Sequence, residues 1–123
     1  MNKNSKYSID LKVKFGPLEI IDVPKLIEKS TEKWQNMSLC TVNNSVIRLA
    51  VIEGEFHWHK HDKEDEFFFV IDGLLLIDLE EKVIELRPKQ GFTIPRGTIH
   101  RTRAPTRTSV LVIEDYTVKP TGD

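Results

Sequence analysis

The stretch "GEFHWHKHDKEDEFFFVIDG", residues 54–73, joins three alternating histidines to a run of acids and then to a run of large apolar residues. Side chains alternate between two faces along a β-strand, so His57, His59 and His61 would share one face. Same-face neighbours lie about 6.5–7 Å apart. Two imidazoles at that spacing can converge on one cation, and the acids that follow can supply a carboxylate. The stretch therefore predicts either one wall of a metal site or a solvated strand of mixed charge.

Short apolar runs separated by turn signals continue on both sides of this stretch. Val, Ile, Phe and Thr dominate the runs, as is typical of strands. Asn43-Asn44 and Asp72-Gly73 are residues that favour tight turns. The predicted strands are residues 39–42, 45–52, 55–61, 66–71, 74–79, 82–86, 91–94, 99–104 and 108–114. This rhythm predicts a mainly β sandwich or barrel of roughly seven to nine antiparallel strands.

One helix is predicted near the N-terminus, in "DVPKLIEKSTEKW", residues 22–34. Asp22 is a good N-cap and Pro24 suits a first helical turn. The predicted apolar face comprises Leu26, Ile27, Ser30 and Trp34. The first 15 residues are polar and are predicted to be loosely ordered.

Length, charge and cysteine content narrow the class of protein. The chain has 123 residues, which is typical of one domain, and a net charge of −1, which gives no reason to expect nucleic acid or an acidic membrane. Cys40 is the single cysteine, so no internal disulfide can form. No signal peptide is evident, and no apolar run approaches the roughly 18 residues of a membrane span. These features predict a cytoplasmic protein.

The fourth histidine, His100, follows a Pro-x-Gly turn in "IPRGTIH", residues 94–100. Taken alone, a histidine at the start of a strand is more often packed or hydrogen-bonded than bound to a metal. The whole pattern is more specific. It reads His59-x-His61, four residues, Glu66, six residues and Gly73, followed later by Pro95-x-Gly97-x-x-His100.

These two motifs resemble those of the cupin superfamily, in particular the small single-domain cupins often labelled mannose-6-phosphate isomerase-like. The motifs and the strands between them cover roughly half of the chain. The resemblance implies a double-stranded β-helix, or jelly roll. It further implies one domain over residues 1–123, with a barrel core at about 39–115.

The family spacing implies a specific set of site residues. It selects His59, His61, Glu66 and His100 as metal ligands, whereas the residues alone leave the pair His57 and His59 open. Asp65 is the alternative carboxylate, because it fits a shorter spacer. His57 would face the same interior one rung away and is a candidate for the pocket. Three imidazoles and a carboxylate suit one divalent ion of Fe, Mn, Ni, Co or Zn.

Three departures from the family pattern lie in turns and at the periphery. Lys89 stands where the second motif usually has glycine, and Ala104 stands where an asparagine is often found. Gly54 is one residue closer to the histidine pair than usual. None of these departures removes a predicted ligand, so they affect the expected substrate more than the expected metal.

Three arginines are candidates for contacts near the site. Arg101 and Arg103 alternate with His100, so their side chains are predicted to face away from the metal. Arg48 lies in the middle of a predicted strand, and the sequence does not decide between an inward side chain that binds an anionic substrate and an outward one.

The resemblance implies a metal-dependent enzyme, of dioxygenase or isomerase type, that acts on a small organic acid or sugar. The alternative is a non-catalytic module that binds or senses a small molecule through the metal. A metal-free sugar-nucleotide epimerase type is disfavoured by the intact ligand spacing. We expect a small-molecule ligand, no nucleic acid or membrane partner, and a homodimer, since small cupins commonly pair through an edge strand.

Overall fold

The computed structural model describes residues 6–123, which form eight β-strands and one short α-helix. The elements are β1 (Ser8–Asp10), α1 (Val23–Lys29), β2 (Trp34–Val42), β3 (Ser45–Glu55), β4 (Glu66–Asp72), β5 (Leu75–Leu79), β6 (Val83–Leu86), β7 (Gly91–Ile94) and β8 (His100–Asp115). Within the described part of the chain, no helix has the length and apolar character needed to span a bilayer. The mainly β architecture with a short N-terminal helix confirms the predicted fold class.

Strand β8 organises the sheet because it has three neighbours. It pairs with β3 along most of its length, with β4 through residues 109–114 and with β5 through residues 100–103. The main path runs β1-β2-β3-β8-β4-β7, and β6 joins through β5. All the pairs are antiparallel except β1 with β2. The two ends of β8 therefore carry different neighbours, and the strands enclose an inner core between them.

The apolar residues form two clusters on opposite faces of β3. Ala50 and Ile52 belong to the inner core, which also contains Trp34, Phe68 and Val112. On the other face, Leu49 and Val51 pack in an outer core that is covered by the N-terminal segment and α1, through Phe15, Ile21, Val23, Leu26 and Ile27. A strand covered on both faces reads as a nearly continuous apolar run. This explains why "VIRLAVI" shows little alternation.

The helix is shorter than predicted. Asp22 caps it as expected, because its carboxylate accepts a hydrogen bond from the Lys25 amide at 3.2 Å. The helix ends at Lys29, and the Ser30 hydroxyl donates to the Leu26 carbonyl. Trp34 is instead the first residue of β2, is 7% exposed, and stacks on Phe56 at 5.3 Å between ring centroids. Burial of the indole in the inner core outweighs the helix propensity of residues 31–33.

Two strand predictions need correction. The runs predicted at 99–104 and 108–114 form the single strand β8. The predicted strand at 55–61 is absent, since β3 continues to Glu55 and the residues after it form only an isolated bridge between His59 and His100. A bulge between Ile52 and Gly54, where Gly54 has φ 102°, disrupts the regular ladder before the histidines.

The N-terminal residues also differ in part from the prediction. Ser8–Asp10 form a strand parallel to β2, and Phe15 packs on the outer core, in a region predicted to be loosely ordered. Residues 1–5 lie outside the described residues. The predicted turns at Asn43 and Gly73 are confirmed by φ values of 53° and 88°. Gly73 also has no room for a side chain, because a Cβ would lie 2.3 Å from the Thr108 hydroxyl.

Candidate metal centre

Four side chains from three separate parts of the chain meet at one end of the inner core. His59 and His61 follow β3, Glu66 begins β4, and His100 begins β8. Each offers one ligand atom, and the four atoms lie within 4.8 Å of one another. Glu66 Oε1 is 3.2 Å from His100 Nε2 and 3.6 Å from His61 Nε2. The structure thus brings together all four residues predicted from the motifs.

These side chains are buried, and several of their polar atoms have no partner. His61 is 2% exposed, Glu66 6% and His100 1%. Both ring nitrogens of His61, Oε1 of Glu66 and Nε2 of His100 make no hydrogen bond. A buried polar atom without a partner costs about 1–3 kcal/mol. A cation between these side chains would satisfy Oε1 of Glu66, Nε2 of His100 and one ring nitrogen of His61, so the residues fit a metal site.

Backbone carbonyls orient two of the imidazoles. Nδ1 of His59 is 2.9 Å from the His57 carbonyl, and Nδ1 of His100 is 2.9 Å from the Thr98 carbonyl. A carbonyl only accepts, so each Nδ1 carries the proton and donates it. The Nε2 lone pair of each ring is left free to bind a cation, which is how metal-binding histidines are commonly held.

The charge states of the site suit a cation. Burial lowers the pKa of His59 to about 4, although the hydrogen bond to the His57 carbonyl opposes the shift. Burial by itself raises the pKa of Glu66, but the adjacent side chains of His100, Glu114 and His61 together outweigh it, so the net shift is downward. At neutral pH the site therefore combines a neutral His59 with an ionised Glu66, the forms that bind metals.

A buried carboxyl and a buried guanidinium lie behind Glu66. Glu114 is the cross-strand partner of Glu66, and Arg48 Nε is 3.2 Å from Glu114 Oε2. Burial, together with the charge of Glu66, raises the pKa of Glu114 to about 10. The two carboxyls therefore share one negative charge opposite one guanidinium. Arg48 faces inward and lies next to Glu114, but it is not among the residues that line the cavity described below.

A cavity opens beside His59 and Glu66 in the inner core. It is small, with an inner volume of about 40 Å³, and it is partly open to solvent. Trp34, Phe56 and Phe68 form its aromatic wall, and aliphatic residues of β3, β5 and β8 complete the apolar surface. Its polar lining consists of Asn36, His59, Glu66, Thr102 and Glu114. The candidate ligand atoms are therefore next to a space that can hold a small molecule.

Residues 117–123 pack along the histidine segment. His57 Nε2 is 2.6 Å from the Thr121 carbonyl, and the Asp123 amide donates to the Lys60 carbonyl at 2.9 Å. A Cβ on Gly122 would lie 2.5 Å from the Cβ of His59. No sequence pattern indicates the role of this segment, because its contacts are made mainly by backbone atoms.

His57 is exposed and is not among the residues that line the cavity. It was expected to face the interior by strand alternation. The backbone beyond Glu55 is not a regular strand, so alternation does not apply there. Its ring instead stacks on Phe56 and contacts Thr121 at the rim of the site.

The remaining charged candidates lie outside the cluster. Asp65 is exposed and accepts hydrogen bonds from the backbone and side chain of Arg96, which places it apart from the four ligand atoms. Arg101 and Arg103 both donate to Asp78, at 2.8 and 2.7 Å. Their predicted orientation away from His100 is confirmed.

The sequence model of the cupin domain family matches residues 45–114, a range that contains all four of these side chains. The chain belongs to the cupin family. This cupin is 45% identical over 84 residues to YdbB, an uncharacterized protein of Bacillus subtilis (strain 168), and the match covers 68% of this chain and 74% of that protein.

Solved structures agree with this assignment. A cupin-2 domain containing protein from Shewanella frigidimarina NCIMB 400 superposes with a TM-score of 0.75 at 28% identity, over 78% of this chain and 94% of that chain. Protein NMB1881 of Neisseria meningitidis gives a TM-score of 0.70 at 22% identity, over 79% of this chain and 99% of that chain. The second similarity shows the fold alone.

Proposed function

We propose that this cupin binds one divalent transition-metal ion through His59, His61, Glu66 and His100, and that it is an enzyme acting on a small molecule held in the adjoining cavity. The observation that supports the proposal is the cluster itself. Four ligand atoms lie within 4.8 Å of one another, and those of His61, Glu66 and His100 are buried without hydrogen bonds. Imidazole and carboxylate donors suit Fe, Mn, Ni, Co or Zn, and no thiolate takes part.

The protein's contribution would be to hold and shield the ion. Neutral imidazoles and one carboxylate would leave the complex of a divalent ion with a net positive charge, which favours an oxygen ligand from a small molecule. A bound ion of this kind supplies Lewis-acid polarisation of that oxygen. Trp34, Phe56 and Phe68 would exclude water from the reacting molecule. A dioxygenase or an isomerase reaction would fit this arrangement.

Metal content tests the binding part of the proposal. Purified protein stripped with a chelator would be titrated with Mn, Fe, Co, Ni and Zn, and bound metal would be measured by mass spectrometry. We expect one ion per chain. Mutation of a residue that hydrogen-bonds to a metal ligand typically weakens metal binding by about 10–100-fold. His100→Ala and Glu66→Gln each remove a proposed ligand and should weaken metal binding by more than that.

Arg101→Ala is the matched control, because Arg101 follows His100 directly and faces Asp78 instead of the cluster. It should retain the ion. Equal metal content in wild type, His100→Ala and Arg101→Ala would contradict the proposed site.

Turnover tests the enzymatic part. Metal-loaded protein would be incubated with small-molecule panels while oxygen uptake and product isomers are followed. Turnover that disappears in His100→Ala would support an enzyme. Saturable ligand binding with no turnover would instead identify a non-catalytic binding or sensing module.

A further inference from the structure

We infer that the cavity beside the cluster takes a compact, uncharged aromatic molecule that carries a hydroxyl group, that is, a monocyclic phenol. The inference rests on the proposed function, since it names the class of molecule that would share the site with the ion. Three features of the cavity support it: its walls, the lack of cationic side chains in its lining, and an unpaired amide oxygen.

The walls are mainly apolar and aromatic. Trp34, Phe56 and Phe68 line the cavity and are 7%, 6% and 6% exposed. The Trp34 and Phe56 rings are stacked with an angle of 20° between their planes, so this part of the wall is built from parallel flat surfaces. An aromatic ring would bury its apolar area against such a wall at about 25 cal/mol per Å².

The protein lining itself offers no cationic side chain to an anionic ligand. No lysine or arginine is among the described residues that line the cavity, whereas two carboxyl groups are, those of Glu66 and Glu114. The guanidinium of Arg48 lies 3.2 Å from Glu114 and is not among the residues that line the cavity. A carboxylate or phosphate ligand would lose its hydration without a cationic side chain to replace it. In the absence of the ion, the cavity therefore disfavours the small organic acid expected from the family resemblance.

The polar lining is also too sparse for a sugar. A sugar carries a hydroxyl on nearly every carbon, and each hydroxyl that enters the cavity needs a partner. Away from the metal cluster and Glu114, the polar lining residues are Asn36 and Thr102. A ring with a single hydroxyl matches this lining better than a ring with several.

Asn36 supplies the unpaired atom. Its Oδ1 is buried and makes no hydrogen bond, and the residue lines the cavity. Its cross-strand partner is Ala50, whose short side chain leaves open space next to it. A carbonyl oxygen only accepts, so the missing partner is a donor. The hydroxyl of a phenol is such a donor on an otherwise apolar molecule.

The test uses the metal-free protein, so that ligand binding is measured apart from metal binding. The chain has two tryptophans, and Trp58 is exposed, so Trp58→Phe leaves Trp34 as the single indole signal in NMR spectra. Phenol, its methyl ether, glucose and galacturonate are the probes. We expect phenol to shift the Trp34 signal saturably, about fivefold more tightly than its ether because one hydrogen bond is lost. Neither sugar should shift it.

Two variants and a control locate the binding. Asn36→Leu should remove the preference of phenol over its ether while both still bind. Ala50→Phe should fill the cavity and abolish binding of both. Val42→Phe adds the same ring at an exposed position that does not line the cavity and should change neither affinity.

The inference is overturned if galacturonate or glucose shifts the Trp34 signal and phenol does not, or if phenol and its ether bind equally in the wild type. One ion bound per chain with no phenol binding would leave the proposed function standing and reject this inference. If phenol binding depends on Asn36 but the protein binds no ion, this inference stands and the proposed function is rejected.

Discussion

Glu66 and Glu114 are direct cross-strand partners on β4 and β8, yet they differ in charge at neutral pH. Like charges placed opposite each other in a sheet are destabilising. Here one proton removes the conflict, since Glu114 keeps its proton while Glu66 is ionised. Arg48, which contacts Glu114, completes a buried row of charged and polar groups that leads from the candidate metal centre into the core.

Replacing Glu114 with two different residues tests this arrangement. Glu114→Gln keeps a neutral side chain that can donate to Glu66 and accept from Arg48, so the free energy of unfolding should change by less than about 1 kcal/mol. Glu114→Ala removes the neutral carboxyl next to the buried Arg48 guanidinium and should lower that free energy by about 1–3 kcal/mol. Urea denaturation at neutral pH measures both. Equal losses in the two variants would show that the carboxyl is ionised.

Asp78→Asn should destabilise the protein in a pH-dependent way. Hydrogen bonds from Arg103 and Arg101 lower the pKa of Asp78, and its side chain is 8% exposed. At neutral pH, loss of the charge should lower the free energy of unfolding by about 3 kcal/mol. Because the folded pKa lies below the unfolded value of about 4, this contribution is complete above that value. It is lost as the pH falls through the folded pKa.

The difference in unfolding free energy between wild type and Asp78→Asn should therefore shrink in acid. Denaturation curves recorded at a series of pH values would measure it. Asp65→Asn is the control, since its pair with Arg96 is exposed and should matter less. A difference that stays constant down to acidic pH would argue against ion pairing at Asp78.

Two glycines with positive φ offer a matched test of the segment at residues 117–123. Gly122 has φ 96° and Gly97 has φ 78°, so alanine should cost about 1 kcal/mol of backbone strain at either position. Only at Gly122 would the new Cβ meet His59, whereas at Gly97 nothing lies within 4 Å. Gly122→Ala should therefore lose more stability than Gly97→Ala and expose residues 117–123 to proteolysis. Identical thermal stability and proteolysis would refute the close contact.

Lys89→Gly should stabilise the protein. Lys89 has φ 70°, a left-handed conformation that is unfavourable for a residue with a Cβ, at the position where the family usually has glycine. The substitution should raise the free energy of unfolding by about 1 kcal/mol. Lys82→Gly is the control, because Lys82 is exposed between β5 and β6 and does not have a positive φ. Glycine at this position should lower the free energy of unfolding. A loss of stability in both variants would contradict the assignment of strain to Lys89.

The fold class and the four clustered residues were predictable because both leave short-range signals. Strand runs and turn residues follow local preferences, and the spacing of His59, His61, Glu66 and His100 matches a known motif. The residues alone did not separate the pair His57 and His59 from the pair His59 and His61. Only the family spacing did, and the structure places His57 outside the cavity.

The features that were missed depend on tertiary contacts. The predicted helix extends to Trp34 because the spacing of residues on one face continues to that position, but the indole is buried in the inner core. Arg48 and Glu114 each interrupt an apolar run, which indicates a buried charged residue at each position. The sequence does not show that the two side chains contact each other. The homodimer, the small-molecule ligand and the cytoplasmic location stay predictions.

Strand β8 pairs with residues much earlier in the sequence, since Asp115 pairs with Ser45 and His100 forms a bridge with His59. Because the chain is synthesised from its N-terminus, His59 and His61 leave the ribosome before His100, which completes the cluster. Until β8 has been synthesised and has paired with β3, the other three side chains of the cluster are not held in position to bind an ion. The ion proposed above would therefore bind after synthesis, to the folded protein, and the local supply of metals at that time would influence which ion is bound.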